Sequence, residues 1–236
     1  MKSLVIANTA GGTAKSTTAH ALAVAAVEYG KKVLLMDADP AATLTFYCGI
    51  ENPRITSQEF LTNTFSLDAA FVKTSERFSF LPSSTRLSNL DINQVLTKES
   101  LKLGLEGFDL VIVDTATGPN QLAAYFMESA DLIVIPTTKE IASIRGAIHV
   151  KDFARTAQYS GALELLFVRS QEEISKELVE QLESDFRILE PAIREDSFVP
   201  EAQLTGRSVV TASKTSGVAA DYREICYSIL EELTLI

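Results

Sequence analysis

Residues 10–18 read Ala10-Gly11-Gly12-Thr13-Ala14-Lys15-Ser16-Thr17-Thr18 and join an aliphatic run, Leu4-Val5-Ile6-Ala7, to an alanine-rich segment, Ala19–Ala26. These types suit phosphate binding. Small residues let backbone N–H groups converge on phosphate oxygens, and a helix beginning at the lysine adds the positive end of its dipole. Lys15 is placed to reach the outer phosphates of a nucleotide, and the Ser16 hydroxyl offers a hard oxygen to Mg²⁺. Two more aliphatic runs end in acids. Leu34-Leu35-Met36 leads into Asp37-Ala38-Asp39-Pro40, and Val111-Ile112-Val113 leads into Asp114-Thr115. A carboxylate at the end of a buried strand costs desolvation free energy unless a cation or hydrogen-bond donors compensate it. One such acid is commonly the N-cap of the next helix. Three of them at one sheet edge, beside a phosphate cradle, are explained more simply by Mg²⁺ and a nucleophilic water.

These groups need a frame that brings distant strand ends together. Aliphatic periodicity predicts strands at Leu4–Asn8, Val33–Asp37, Phe78–Pro82, Leu110–Asp114, Leu132–Pro136, Leu163–Val168 and, more weakly, Ile188–Ile193. Continuous runs such as Leu132-Ile133-Val134-Ile135 mark strands buried on both faces, as in parallel sheets covered by helices. Helices are expected at Lys15–Tyr29, Gln58–Ala70, Gln94–Leu105, Asn120–Ser129, Ile144–Tyr159, Lys176–Ser184 and Val218–Leu233. The alternation implies an α/β fold, a doubly wound and mostly parallel sheet flanked by helices, whose ligands bind at the carboxyl ends of the strands. Strand, glycine-rich turn, Lys-Ser and helix is the order of a P-loop. The strict pattern G-x-x-x-x-G-K-[ST] is not met, because Ala14 stands directly before the lysine.

The chain has 236 residues, 46% of them hydrophobic, enough for one α/β domain spanning 1–236 and too apolar for a disordered chain. No uninterrupted apolar stretch is long enough for a transmembrane helix, and the first apolar run is too short for a signal peptide. Twenty-one Lys and Arg against 31 Asp and Glu give a net charge of −10, which argues against a wholly basic nucleic-acid binder. The stretch 170–196 is the most acidic and reads as a solvated helix at 171–185, whereas 139–169 is mildly basic. Two cysteines, Cys48 and Cys226, make neither a disulfide framework nor a metal site and fit a cytosolic protein. His20 and His149 read as ordinary helix residues, and Phe46-Tyr47-Cys48 as core.

With these motifs in place, the sequence resembles the ParA/MinD family of deviant Walker A ATPases, closest to its short ParA-type members. That family's loop has the form x-K-G-G-x-x-K-[ST], followed by D-x-D-P and by a hydrophobic run ending in aspartate. Here those positions are Ala10–Ser16, Asp37-Ala38-Asp39-Pro40 and Val113-Asp114. Ala130–Pro136 with Glu140, Pro200-Glu201-Ala202, Gly206–Val209 and Ala219–Glu224 also fit, so the likeness runs along nearly the whole chain. The resemblance implies ATP and ADP as ligands, with Mg²⁺. It puts Gly11, Gly12, Thr13, Ala14, Lys15, Ser16 and Thr17 around the phosphates, with Ser16, Asp37 and Asp114 around the metal. Lys15 and Asp39 would be catalytic, Asp39 orienting the attacking water, and adenine would lie near Ile193–Val199. Ala192-Ile193-Arg194-Glu195 departs from the family there.

The largest departure is Ala10, which occupies the position of the family's signature lysine, a cation that crosses to the partner's nucleotide. Three readings are open: a substitution made to disable hydrolysis or dimerisation, a natural variant using another cation such as Lys139 or Lys151, and a pseudo-ATPase. The resemblance further implies a homodimer formed on ATP, a cytoplasmic and nucleoid-associated location, and a centromere-binding ParB-type or cargo-adaptor partner. The cargo would be a plasmid, a chromosome locus or a protein assembly. DNA would be bound without sequence preference, with Lys151, Arg155, Arg194, Arg207, Lys214 and Arg223 as candidates beside Arg145. No membrane attachment is expected, since the C-terminal segment carries two glutamates and no Lys or Arg after Arg223. With the first strand so close to the start, an operator-reading helix-turn-helix is not expected. The alternative function is a catalytically silent nucleotide-binding scaffold that acts through its dimerisation state.

Overall fold

β1 (Lys2–Ile6) lies between β5 (Leu110–Thr115) and β6 (Leu132–Thr137), parallel to both. The phosphate loop therefore leaves the sheet where strand order reverses direction, the usual crevice for ligands in such sheets. The computed structural model describes residues 1–171 and 174–236. Its first half runs α1 (Lys15–Glu28), β2 (Val33–Ala38), α2 (Thr43–Tyr47), α3 (Ser57–Leu61), α4 (Leu67–Ala70), β3 (Val72–Lys73), β4 (Ser79–Leu81) and α5 (Lys98–Leu105) up to β5. After β5 come α6 (Gln121–Glu128), β6, α7 (Ile141–Thr156), β7 (Leu163–Phe167), α8 (Lys176–Glu183) and β8 (Arg187–Leu189). The chain ends with α9 (Phe198–Leu204), α10 (Val209–Ala212) and α11 (Gly217–Glu232). The strands form one eight-stranded sheet in the order β3-β4-β2-β5-β1-β6-β7-β8, parallel except for the β3–β4 pair.

The period-two alternation of the strands sorts their side chains into two cores. Leu4, Ile6, Val33, Leu35, Leu110, Ile112, Leu132 and Val134 face α1 and α11, while Val5, Leu34, Met36, Val111, Val113, Ile133 and Ile135 face α5, α6 and α7. α1 is buried along Thr18–Ala26 between sheet and α11, which explains its nearly unbroken apolar sequence. α11 buries Val218, Tyr222, Ile225, Cys226, Ile229 and Leu230 in that core. Its apolar stripe is thus spent on packing. No described helix is long and apolar enough to cross a membrane.

Several expected elements differ. The single helix expected at Gln58–Ala70 is two short ones. The Thr62-Asn63-Thr64 turn breaks it: Asn63 has φ 55 and the Thr62 hydroxyl donates to the Gln58 carbonyl. The helix expected at Gln94–Leu105 begins only at Lys98, where Thr97 caps it, because Leu96 N–H is drawn instead to the Leu61 carbonyl. The two-residue β3 and the short α2, α9 and α10 carry too little periodicity to be seen in sequence. Of the acidic helix expected at 171–185, the structure has α8, and Glu172 and Glu173 lie outside the described residues.

Candidate functional site

Asn8 fixes the loop after β1. Its amide donates to the Pro136 carbonyl (2.9 Å), to Thr137 Oγ1 (3.2 Å) and to the Ser143 carbonyl (3.3 Å), while its Oδ1 accepts from Ala10 N–H (2.9 Å). The strand end is thereby tied to β6 and to α7. From there Gly11 and Gly12 run exposed, Gly12 at φ 72, and Ala14 takes the left-handed conformation (φ 58) that starts α1. A side chain at that φ costs about 1 kcal/mol relative to glycine. The first turn of α1, Lys15 to Thr17, follows with N–H groups that have no intrahelical partner.

Lys15 is only 7% exposed and donates to the Ala10 carbonyl at 3.2 Å. Burial pulls its pKa down, and the nearby carboxylates of Asp114 and Asp39 oppose that. Asp114, at the end of β5, is fully buried, and neither carboxylate oxygen has a hydrogen-bond partner among the described residues. Burial and the neighbouring Asp37 raise its pKa well above the carboxylate range, while Ser16 and Lys15 act against the rise. Thr13 Oγ1 is likewise buried and unpartnered. Buried oxygens without partners call for an explanation, and beside a phosphate loop a ligand or ion that completes them supplies one. Ser16 and Asp114 are hard-oxygen donors beside a phosphate cradle and fit Mg²⁺.

The three acids have separate situations. Asp37 has donors on both oxygens: Oδ1 accepts from Asp39 N–H (3.0 Å), and Oδ2 accepts from Thr45 N–H (2.9 Å) and Thr45 Oγ1 (2.7 Å). Burial nevertheless lifts its pKa to about 6. Asp39 is half-buried, with Oδ1 accepting from Ala41 N–H at 2.8 Å. No group of three His, Cys, Asp or Glu among the described residues could hold a metal ion by itself, so phosphate and water oxygens would have to complete the shell.

A cavity of about 530 Å³ opens from Gly12, Ala14 and Thr17 toward Ile193–Ser197 and Val199, the stretch expected near adenine. Gln203 on α9 donates to Thr17 Oγ1 at 2.8 Å and braces this wall. Arg194 lies in the lining, bound in a fork to buried Asp221 (both bonds 2.7 Å). Its guanidinium lies over Gly217, where an added Cβ would come within 2.4 Å of it.

The sequence matches the AAA domain family over residues 1–186. The chain belongs to the ParA/MinD group of P-loop ATPases. It is 30% identical over 172 residues to the maintenance of carboxysome distribution protein A of Gloeothece citriformis, covering 69% of this chain and 66% of that one. It is 28% identical over 250 residues to a virulence plasmid ParA family protein of Chlamydia psittaci, covering 99% and 96%. The septum site-determining protein MinD of Pyrococcus horikoshii, solved with Mg-ADP, shares the fold with a TM-score of 0.79 at 24% identity, covering 97% and 95%.

Against the ParA/MinD pattern, the basic candidates divide. Lys151 is ion-paired with Asp185 at 2.6 Å, Arg194 with Asp221, and Arg223 with Glu28 at 2.6 Å. Arg155, Arg207 and Lys214 are exposed, as is Arg145. Lys151 is also five residues beyond Gly146, the α7 residue that abuts Ala10, which turns it about 140° away around the helix.

Some expectations need correcting. Of Phe46-Tyr47-Cys48, expected as core, only Cys48 packs against it: Phe46 is 53% exposed and Tyr47 lines the cavity, because α2 buries Leu44 and Thr45 instead. His20, by contrast, is the helix residue expected, buried in α1 outside the site and bonded to Glu76 Oε2 at 2.6 Å. Sequence reading missed Asn8, Thr45, Tyr47, Gly146 and Gln203. An asparagine at a strand end and a glycine inside a helix were the available signals.

Proposed function

We propose that this chain, as one ATPase domain over 1–236, binds ATP with Mg²⁺, dimerises on it and hydrolyses it to ADP and phosphate. The ATP-bound dimer would bind DNA without sequence preference and move DNA or a protein assembly over the nucleoid in the cytoplasm, answering to a ParB-type or adaptor partner. The observation that carries the nucleotide part is the orphaned, fully buried Asp114 carboxylate facing Lys15 and Ser16 at the start of α1. Membership of the ParA/MinD group and the names of the plasmid and carboxysome relatives support the cargo-moving part.

In this reading, Gly11 to Thr17 cradle the phosphates with backbone N–H groups, and Lys15 binds the outer phosphates. Ser16 and Asp114 would hold Mg²⁺, which neutralises charge on the phosphates when bound. Asp39 orients the attacking water. Asp37, held by Thr45 and by Asp39 N–H, shapes the loop that carries Asp39 and would support the metal shell. Arg155, Arg207 and Lys214 are the DNA contacts we favour, because Lys151, Arg194 and Arg223 already serve internal ion pairs.

Ala10 favours a second reading, a nucleotide-binding scaffold that signals through dimerisation without turnover. One experiment separates the two: oligomeric state, DNA affinity and phosphate release measured with no nucleotide, ADP and ATP, at several salt concentrations. The motor reading expects ATP-dependent dimers and DNA binding that weakens steeply with salt. Dimers without phosphate release, with or without DNA, support the scaffold. No nucleotide response at all overturns both.

A further inference from the structure

Tyr47 is the last residue of α2 and stands in the wall of the nucleotide cavity with Gly12, Ala14 and Thr17. It is half-buried, and its hydroxyl has no hydrogen-bond partner among the described residues. A phenol O–H on a cavity wall that bonds no protein group is free to exchange water for a ligand oxygen. Burial and the Asp114 carboxylate both raise its pKa, so the ring is within electrostatic reach of the acid beside the phosphate loop. At neutral pH it is a neutral O–H donor.

The element carrying this residue is held firmly. Thr45, two residues earlier, is bonded through N–H and hydroxyl to Asp37, and the Thr45 hydroxyl also accepts from Ser83 N–H at 2.8 Å. Just after Tyr47, Gly49 meets Gly206 so closely that a Cβ added to Gly206 would lie 3.0 Å from the Gly49 Cα. α2 is thus clamped to the β2 acid at one end and to the α9–α10 loop at the other. A donor on a clamped element is preorganised and loses little freedom when it meets a ligand.

We infer that Tyr47 is a nucleotide-binding residue whose hydroxyl donates a hydrogen bond to the phosphate chain of a nucleoside triphosphate bound in this cavity. The inference rests on the nucleotide-binding reading above and adds a residue that the P-loop pattern does not contain. The donor is neutral, so it contributes to holding the phosphates and does not restore the charge that Ala10 lacks. A hydrogen bond to a charged acceptor contributes more than a neutral one, and its loss is expected to cost about tenfold in affinity.

The test compares the parent with Tyr47→Phe, which keeps the ring and its packing, by calorimetric titration with Mg-ATP and, separately, with inorganic tripolyphosphate and Mg²⁺. Thermal melting without ligand checks that the fold is unchanged. The inference expects about tenfold weaker binding of both ligands by Tyr47→Phe at an unchanged melting temperature. Equal ATP affinity in parent and Tyr47→Phe overturns it while leaving the nucleotide reading intact. A loss for ATP with none for tripolyphosphate overturns the phosphate assignment, since the hydroxyl would then read the base or ribose. A parent that binds neither ligand overturns both readings together. Should Tyr47→Phe melt lower, Tyr47→His, which keeps a ring donor, must recover affinity, and its failure to do so also overturns the inference.

Discussion

Gly146 of α7 meets Ala10 of the phosphate loop with no room between them: a Cβ added to Gly146 would lie 2.8 Å from the Ala10 Cβ and 2.2 Å from Asn8 Oδ1. The helix after β6 therefore serves as the backing plate of the loop. Thr9 Oγ1 adds a bond to the Gly146 carbonyl at 3.1 Å. Gly146→Ala must push helix or loop aside, and overpacking of this kind costs about 1–3 kcal/mol. The expected result is a melting temperature lower by several degrees and ATP binding at least tenfold weaker. Gly104→Ala in α5 is the control, because its Cβ would make an ordinary 3.7 Å contact with Phe60. That variant should melt no lower than the parent.

Ala10 itself bears on turnover. A cation supplied to the partner's phosphates has been worth about 10³–10⁵ in rate in related phosphoryl-transfer systems. Ala10→Lys should raise phosphate release from ATP at least tenfold, measured with DNA present. Equal, near-zero rates in both forms would favour the scaffold reading.

On the proposed reading, Asp114 exchanges stability for metal binding. Both its oxygens are buried without hydrogen-bond partners among the described residues, so its charge is a cost to the ligand-free fold. Asp114→Asn keeps the shape and removes the charge. The ligand-free variant should melt no lower than the parent, while its affinity for Mg-ATP falls at least tenfold. With EDTA in place of Mg²⁺ the two proteins should bind ATP within about threefold of each other. Equal losses with and without Mg²⁺ would count against a metal role.

The frame was legible in sequence because strands buried on both faces leave unbroken aliphatic runs, and every such run from Leu4 to Leu163 became a strand within a residue or two at either end. The site's charged members were legible because a carboxylate that ends a buried strand, as Asp37 and Asp114 do, requires a cation or donors beside it. What escaped was whatever depends on the third dimension. Gln203 and Tyr47 reach the site from segments far from the loop in sequence, and no local pattern announces them, whereas Asn8 stands beside the loop and only its partners on β6 and α7 lie far off. Lys151 looked like a free cation on a helix face, yet α7 turns it toward Asp185. The break at Asn63 had only a weak local signal, a polar turn inside an otherwise helical composition.

Glu164 on β7 lies away from the nucleotide cavity and offers a pH-dependent readout of the fold. It is fully buried, stands in register with Arg187 on β8, and has Arg187 as its ion-pair partner at 3.2 Å. Burial drives its pKa up to about 7; Arg187 opposes this and Glu232 on α11 adds to it. A carboxyl raised in the folded state binds more protons folded than unfolded between its ordinary value near 4.5 and 7. Stability from this group is therefore full below that window and lost as pH rises through it. Glu164→Gln keeps the shape and removes the titration, and Arg187 retains its ion pair with Glu232. The variant should be more stable than the parent at pH 8 by on the order of 2 kcal/mol, visible as a melting temperature higher by several degrees. The advantage should shrink toward zero by pH 5. A variant that is less stable at pH 8 would mean that the Glu164–Arg187 attraction outweighs the cost of burying the charge.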